Sequence, residues 1–237
     1  MLAAALHFTP ALGAVAPNRE RLLELAEGAA RGADLLVLPE LATTGFSLSP
    51  AAAADAAEPA EGPTFRALSA LARAERCVIA LGLCLRSEAG LHNAQLLIDS
   101  TGELAGVYRK HHLWGSDRDW ALAGPQAGQV TSTRIGPVAQ LICADIGYPA
   151  SLASLRGRAR LLAFSTNWVG DGVPVPVSWQ VALRVFDPGW LIVANRGGEE
   201  EGVLFDDPSA ILSYREGGEL GPRGAASYVL RRELELE

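Results

Sequence analysis

The chain alternates between short runs that are apolar throughout and longer segments whose apolar residues recur at helical spacing. Leu2 to Phe8 is the first such run, and without a polar alternation it reads as a strand buried on both faces. From Pro17 or Asn18 to about Arg31, Leu22, Leu23, Leu25 and Ala26 share one helical side, with Gly32 as the stop. Asp34 to Leu38 is a second buried strand closed by Pro39, which puts Glu40 at its carboxyl end. Leu48 to Glu61 is Ala-rich and acidic with Pro50 and Pro59, so a surface excursion is expected; Pro63 then opens a helix to Arg76.

Cys77 to Arg86, Asn93 to Asp99 and Glu103 to Tyr108 read as successive strands, joined by Ser87 to His92 and by the turn Ser100-Thr101-Gly102. Lys110 leaves the last of them. Val130 to Arg134 and Val138 to Cys143 form another pair, a short helix follows Pro149, and the apolar run Leu161 to Phe164 precedes Ser165-Thr166-Asn167-Trp168. Val177 to Phe186 has helical spacing, Trp190 to Ala194 is a buried strand, and Ala210 to Ser213 and Ala226 to Leu230 are late strands. Asp34-Leu-Leu-Val-Leu before Glu40 is echoed by Arg160-Leu-Leu-Ala-Phe before Asn167, which hints at two similar halves. The order predicts a strand-rich α/β fold in one domain over residues 1–237.

Charge and composition narrow the function classes. The net charge of -7 and the lack of a Lys/Arg cluster argue against nucleic acid as a partner. No stretch approaches the roughly 18 apolar residues of a membrane span. Cys77 and Cys84 share one segment and Cys143 stands far off, so no disulfide framework is expected and a reducing cytoplasm fits. Ala14-Val15-Ala16 imitates a signal-peptidase site, but no Lys or Arg precedes Arg19, and His7, Thr9 and Pro10 interrupt the apolar run. Gly197-Gly198 and Gly217-Gly218 sit in no phosphate-binding pattern.

The chemistry concentrates in three segments that each end an apolar run: Leu38-Pro39-Glu40, Tyr108-Arg109-Lys110 and Leu141-Ile142-Cys143-Ala144-Asp145. A thiol attacks only as thiolate, so it needs a base and a positive charge nearby. Glu40 suits the base, for the thiol first and for water afterwards, and Lys110 suits the oxyanion stabiliser with the Ala144 N–H as a second donor. That set cleaves an amide through a thioester and needs no metal or organic cofactor. Taken singly, Cys143 reads as a small core residue, Glu40 as a cap or ion-pair partner and Lys110 as a solvated charge. A Cys-His protease would need His111 or His112 beside Cys143, and a glutamine amidotransferase would need a Gly-x-Cys-x-Gly turn that is absent.

Together the segments resemble the nitrilase superfamily of carbon-nitrogen hydrolases. The likeness rests on Asp34-Leu-Leu-Val-Leu-Pro-Glu40-Leu-Ala-Thr-Thr-Gly45-Phe46, Tyr108-Arg-Lys110-His-His-Leu-Trp114, Leu141-Ile-Cys143-Ala-Asp145 with Tyr148-Pro149, Ser165-Thr-Asn167-Trp168 and Ala194-Asn195-Arg196. It implies a four-layer α-β-β-α sandwich, a Glu-Lys-Cys triad on Glu40, Lys110 and Cys143, and homodimers or higher homo-oligomers paired through helices beside the site. Ala144-Asp145 stands where nitrilases usually carry Trp-Glu, which favours an amidase-like branch over nitriles. Members often carry a second glutamate after the lysine segment; here Asp117 or Asp119 is available, and Asp117 fits the distance to Gly124 better.

Ala150, His7 and the segment Phe205 to Ser209 also depart from the family pattern and point to an altered pocket. Phe46, Tyr148, Asn167 and Trp168 adjoin the triad segments and are the expected pocket contacts; Arg196 or Arg184 would anchor a carboxylated substrate. The expected reaction is hydrolysis of a small linear amide. An N-carbamoyl amine amidohydrolase is the near alternative, and a non-catalytic binding or scaffold protein is the rival from another class.

Overall fold

Alternate residues of strand β1 (Leu2–His7) enter different cores: Ala4 and Leu6 pack on one side, Ala3 and Ala5 on the other. A fully apolar run therefore behaves as a strand between two layers, as period-2 geometry requires. The computed structural model describes residues 1–170, 173 and 175–236.

The first half continues with α1 (Val15–Ala30), β2 (Leu35–Val37), α2 (Pro50–Ala56), α3 (Pro63–Glu75), β3 (Val78–Ser87), β4 (Gly90–Ile98), β5 (Leu104–Arg109) and α4 (Asp117–Trp120). Next come β6 (Gln129–Thr133), β7 (Gly136–Ile142), a 3-10 turn (Cys143–Gly147), α5 (Pro149–Leu155), β8 (Leu161–Ser165), α6 (Val177–Val185) and β9 (Trp190–Ala194). The chain ends with β10 (Gly198–Glu200), β11 (Val203–Phe205), β12 (Ala210–Ser213), β13 (Gly217–Leu220) and β14 (Tyr228–Glu233).

One six-stranded sheet runs β14-β1-β2-β3-β4-β5 and the other β13-β12-β9-β8-β7-β6, with β10-β11 as a separate hairpin. Between the sheets lies a core of Val37, Ala80 and Leu97 from the first and Val138, Ala163 and Ile192 from the second. The first sheet's other face carries α1 and α3 through Leu22, Ala26, Phe65 and Leu68. The second sheet's other face carries α5 and α6 through Leu152, Leu155, Trp179 and Ala182. These are the four layers, α-β-β-α.

From β14 to β5 the pairings run antiparallel, parallel, parallel, antiparallel, antiparallel. From β6 to β13 the pairings run antiparallel, parallel, parallel, antiparallel, antiparallel as well. In this correspondence β2 matches β8, so the sequence echo before Glu40 and Asn167 has a structural counterpart. Both residues lie beyond the carboxyl ends of parallel strands, where an open crevice forms.

The expected surface excursion at 48–61 contains α2. Ser49 caps it, its Oγ accepting from the Ala52 N–H at 3.2 Å, and Pro50 takes the first helical position, where no N–H is needed. Helix α1 begins earlier than expected, at Val15, because Pro17 is tolerated in a first turn. The Ser87 to His92 connection shrinks to a turn at Glu88-Ala89, with Ser87 paired to Gly90. Among the described residues no helix is long and apolar enough to cross a membrane.

His7, at the end of β1, is buried, stacks on Tyr228 at 4.5 Å and faces Ser209 Oγ at 3.2 Å. Burial lowers its pKa from 6.5 to about 4, against a hydrogen bond with the Ala225 backbone and helped by the Arg196 charge. The folded state thus binds fewer protons than the unfolded chain between those pH values. About 3 kcal/mol of stability should be lost as pH falls from 6.5 to about 4. His7→Gln should flatten that part of the pH profile in urea unfolding; an unchanged profile would contradict the assignment.

Candidate active site

The three segments converge beyond the strand ends. Glu40 follows β2, Lys110 follows β5, Cys143 follows β7, and all three are buried. The loop that carries Glu40 passes so close to β3 that a Cβ on Gly82 would lie 2.1 Å from the Pro39 carbonyl oxygen. Only glycine admits that approach. Gly124 does the same service for the lysine: its N–H donates to the Lys110 carbonyl at 2.8 Å, and a Cβ there would meet the Arg109 carbonyl oxygen at 2.1 Å.

Lys110 Nζ donates to Glu40 Oε1 at 2.7 Å and to Asp117 Oδ2 at 2.5 Å. Asn93 Nδ2, from β4, donates to Glu40 Oε1 at 2.7 Å and to Asp117 Oδ1 at 3.1 Å. The Asn167 N–H, just past β8, donates to Glu40 Oε2 at 2.7 Å. One carboxylate is thus fixed by three donors. Asp117 stands at the lysine, whereas Asp119 is exposed.

With both carboxylates ionised the cluster sums to one negative charge. Burial raises the Glu40 pKa, against the pull of Lys110 and with the push of Asp117. Burial alone would lower Lys110, but Glu40, Cys143 and Asp117 together hold it charged, well above the ordinary lysine value. Cys143 is pushed up to about 12 by burial and by Glu40, against Lys110, the Thr166 hydroxyl and the Asn167 backbone. Cys143 therefore rests as a thiol.

Cys143 has φ 43, the left-handed region that costs a non-glycine residue about 1–2 kcal/mol. What holds it there is Asp145. Its Oδ2 accepts from Tyr108 Oη at 2.7 Å and from the Ile142 N–H at 3.3 Å, and its Oδ1 accepts from the His112 N–H at 2.8 Å. Asp145 therefore staples the nucleophile's turn to the lysine's strand. Asp145→Ala strips the acceptor from buried donors and should cost about 3 kcal/mol in urea unfolding, with a matching loss of turnover. A loss under about 0.5 kcal/mol would remove this role.

Cys143 opens onto a cavity of about 410 Å³ walled by Trp114, Tyr148, Trp168 and Val169, with Ala144 and Asn167 also lining it. Tyr148 stacks on His112 at 3.5 Å, and Trp168 packs edge-on against Trp179. Phe46 does not line the cavity. It stands behind Trp114 at 6.0 Å, held because its N–H donates to Glu200 Oε1.

Arg196 is no free anchor either: it is buried over the Phe205 ring and donates to Glu200 Oε2 at 2.6 Å. Despite burial, those contacts hold Glu200 below the usual carboxylate range. Arg184 lies over Tyr214, away from the cavity lining. His111 Nδ1 meets the Gly124 carbonyl at 2.7 Å and His112 Nδ1 meets Asp145 Oδ1 at 2.9 Å, so both rings serve the scaffold rather than a Cys-His pair. Asn195 also acts as scaffold, its Oδ1 accepting from the Trp168 N–H at 2.8 Å and its Nδ2 donating to the Asp207 carbonyl at 2.9 Å.

The carbon-nitrogen hydrolase family profile matches residues 2–205. The chain belongs to that family. This carbon-nitrogen hydrolase is 31% identical over 212 residues to a probable nitrilase of Schizosaccharomyces pombe, spanning 85% of this chain and 72% of the relative. It is 32% identical over 204 residues to a hydrolase of Pseudomonas protegens, spanning 84% and 70%. Among solved structures it shares its fold with an amidase of Nesterenkonia sp. AN1. In the structure of a glutamate-to-glutamine mutant of that amidase, the acetamide moiety of fluoroacetamide is bonded to the active-site cysteine; the TM-score is 0.83 at 25% identity, over 99% of this chain and 90% of the other.

Proposed function

We propose that this carbon-nitrogen hydrolase is an amidase that works through a thioester on Cys143. The observation that carries the reading is the buried Glu40-Lys110-Asp117-Asn93 cluster, placed electrostatically against a strained thiol that lines a cavity. The acetamide adduct of the Nesterenkonia amidase supports it by analogy.

Glu40 takes the thiol proton as Cys143 Sγ attacks the carbonyl carbon. A base of raised pKa is the stronger proton acceptor, and coupling transfer to attack avoids a free thiolate in a site already negative. The carbonyl electron pair moves onto oxygen, held by Lys110 Nζ and the Ala144 N–H. Collapse breaks the C–N bond, and nitrogen takes the proton from Glu40 and leaves as ammonia. Water, deprotonated by the same carboxylate, then attacks the thioester; the sulfur leaves and recovers the proton. Asp117 and Asn93 position Lys110 and Glu40 without touching substrate.

The test is ammonia release from aliphatic amides, ω-amides, carbamoyl amines and nitriles across pH. Amides should give one acid per ammonia, with an acid limb above the usual glutamate range because Glu40 must be ionised. Release from nitriles alone, or from nothing, would overturn the reading.

A further inference from the structure

The cavity has walls of one chemical kind. Trp114, Tyr148, Trp168 and Val169 are aromatic or aliphatic, and none of the described lining residues carries a charge. The arginines that could have met an anion are engaged elsewhere: Arg196 with Glu200, and Arg184 over Tyr214. Behind the thiol the Glu40-Lys110-Asp117 cluster sums to one negative charge when both carboxylates are ionised. A carboxylate brought against these walls would lose water, find no cation among the described lining residues and face the net negative charge of the cluster.

One polar group faces the opposite way. Asn167 lines the cavity with only 2% of its surface exposed, and among the described residues neither Oδ1 nor Nδ2 has a hydrogen-bond partner. Its backbone N–H is held by Glu40 Oε2 at 2.7 Å, which ties the residue to the carboxylate cluster. Buried polar atoms left without partners are costly, and a ligand that completes them recovers that cost. An amide group offers one acceptor and one N–H donor, the complement of the Asn167 side chain.

Building on the amidase reading above, we propose that the site selects uncharged primary amides with an apolar acyl chain, recognised through Asn167, and rejects ω-amides that carry a carboxylate. The volume of about 410 Å³ leaves room for several carbons against the aromatic walls.

Two alkylating probes isolate the charge. Iodoacetamide and iodoacetate both lose iodide to Cys143 Sγ and differ only in carboxamide against carboxylate. Relative to their ratio with glutathione, Cys143 should prefer iodoacetamide by a further factor of about 100. Asn167→Ala should lower the iodoacetamide rate by about 10-fold, and Val169→Lys, which adds a cation to the wall, should raise the iodoacetate rate by about 10-fold. A wild-type preference within about 3-fold of glutathione would overturn the proposal.

Ammonia release from butanamide and from the monoamide of butanedioic acid separates this proposal from the reading beneath it. Charge-selective alkylation without turnover of either amide would sustain the selectivity and sink the amidase. Equal or faster turnover of the charged amide would sustain the amidase and sink the selectivity.

Discussion

Replacing Glu40 by glutamine is expected to lower kcat/KM for amides by about 10⁴-fold, the upper end for a general base, because in the proposed mechanism one carboxylate serves both the acylation and the hydrolysis. The substituted side chain would keep the shape but not the pattern of acceptors: Oε1 of Glu40 receives Lys110 and Asn93, and Oε2 receives the Asn167 N–H. The new amide NH₂ must face one of those donors, so a modest stability loss of about 1–2 kcal/mol should accompany the kinetic effect. The thiol gives an independent sign. Glu40 is one of the groups that push Cys143 up to about 12, and Lys110 pulls it down. Removing the glutamate charge should therefore shift the pH profile of Cys143 alkylation toward lower pH while turnover collapses. Unchanged turnover would remove Glu40 from the mechanism, and an alkylation profile shifted upward would contradict the electrostatics.

The second large effect is on stability. Lys110→Met leaves Glu40 and Asp117 buried, facing one another and without their cation. Breaking a buried pair in this way costs about 3–5 kcal/mol near neutral pH. Burial already raises Glu40 and Lys110 opposes that rise, so without the cation Glu40 lies further above its unfolded value and protonation favours the folded chain. The deficit should shrink as pH falls through that raised range and be greatest above it. A variant as stable as the parent at pH 7, or one that weakens further in acid relative to the parent, would refute the charge balance described for the cluster. Asn93 cannot compensate, because its Nδ2 is already shared between the two carboxylates.

The triad residues were legible because each ends an apolar run, and a charged or reactive group at such a place must be solvated or used. Asn93 was not, because it lies inside β4, where the strand pattern makes every residue look structural. The signal was its company: Asn93 and Gln95 occupy one strand face between apolar neighbours, and both are buried. Gln95 donates to Ser165 Oγ at 2.8 Å, and Ser165 in turn to the Leu38 carbonyl at 2.7 Å, so that face bridges the two sheets beside Glu40. Asp145 was visible as a motif residue, but its role depends on three partners brought together by folding.

Elsewhere the missed elements are short or lack a repeating apolar pattern. The β10-β11 hairpin is Gly-Glu-Glu against Val-Leu-Phe, and its purpose is long-range: Glu200 ties the Phe46 and Ser47 N–H groups to Arg196. Strand β13, Gly-Gly-Glu-Leu, is exposed throughout and, among the described residues, pairs only with β12, so no periodicity marks it. Helix α2 was hidden by a proline that reads as a breaker in mid-segment and as a starter after a serine cap. The arginines misled for a related reason, since a buried Arg196 satisfied by Glu200 and a substrate anchor look alike until the partner is seen.

The central claim is that the acyl group passes through the sulfur of Cys143. Its most direct test is rapid acid quenching during turnover of butanamide, followed by intact mass and peptide mapping. The account predicts a butanoyl adduct confined to the Cys143 peptide, absent from Cys143→Ala, which should release no ammonia. Steady turnover without any adduct, together with a Cys143→Ala variant that still releases ammonia, would contradict it.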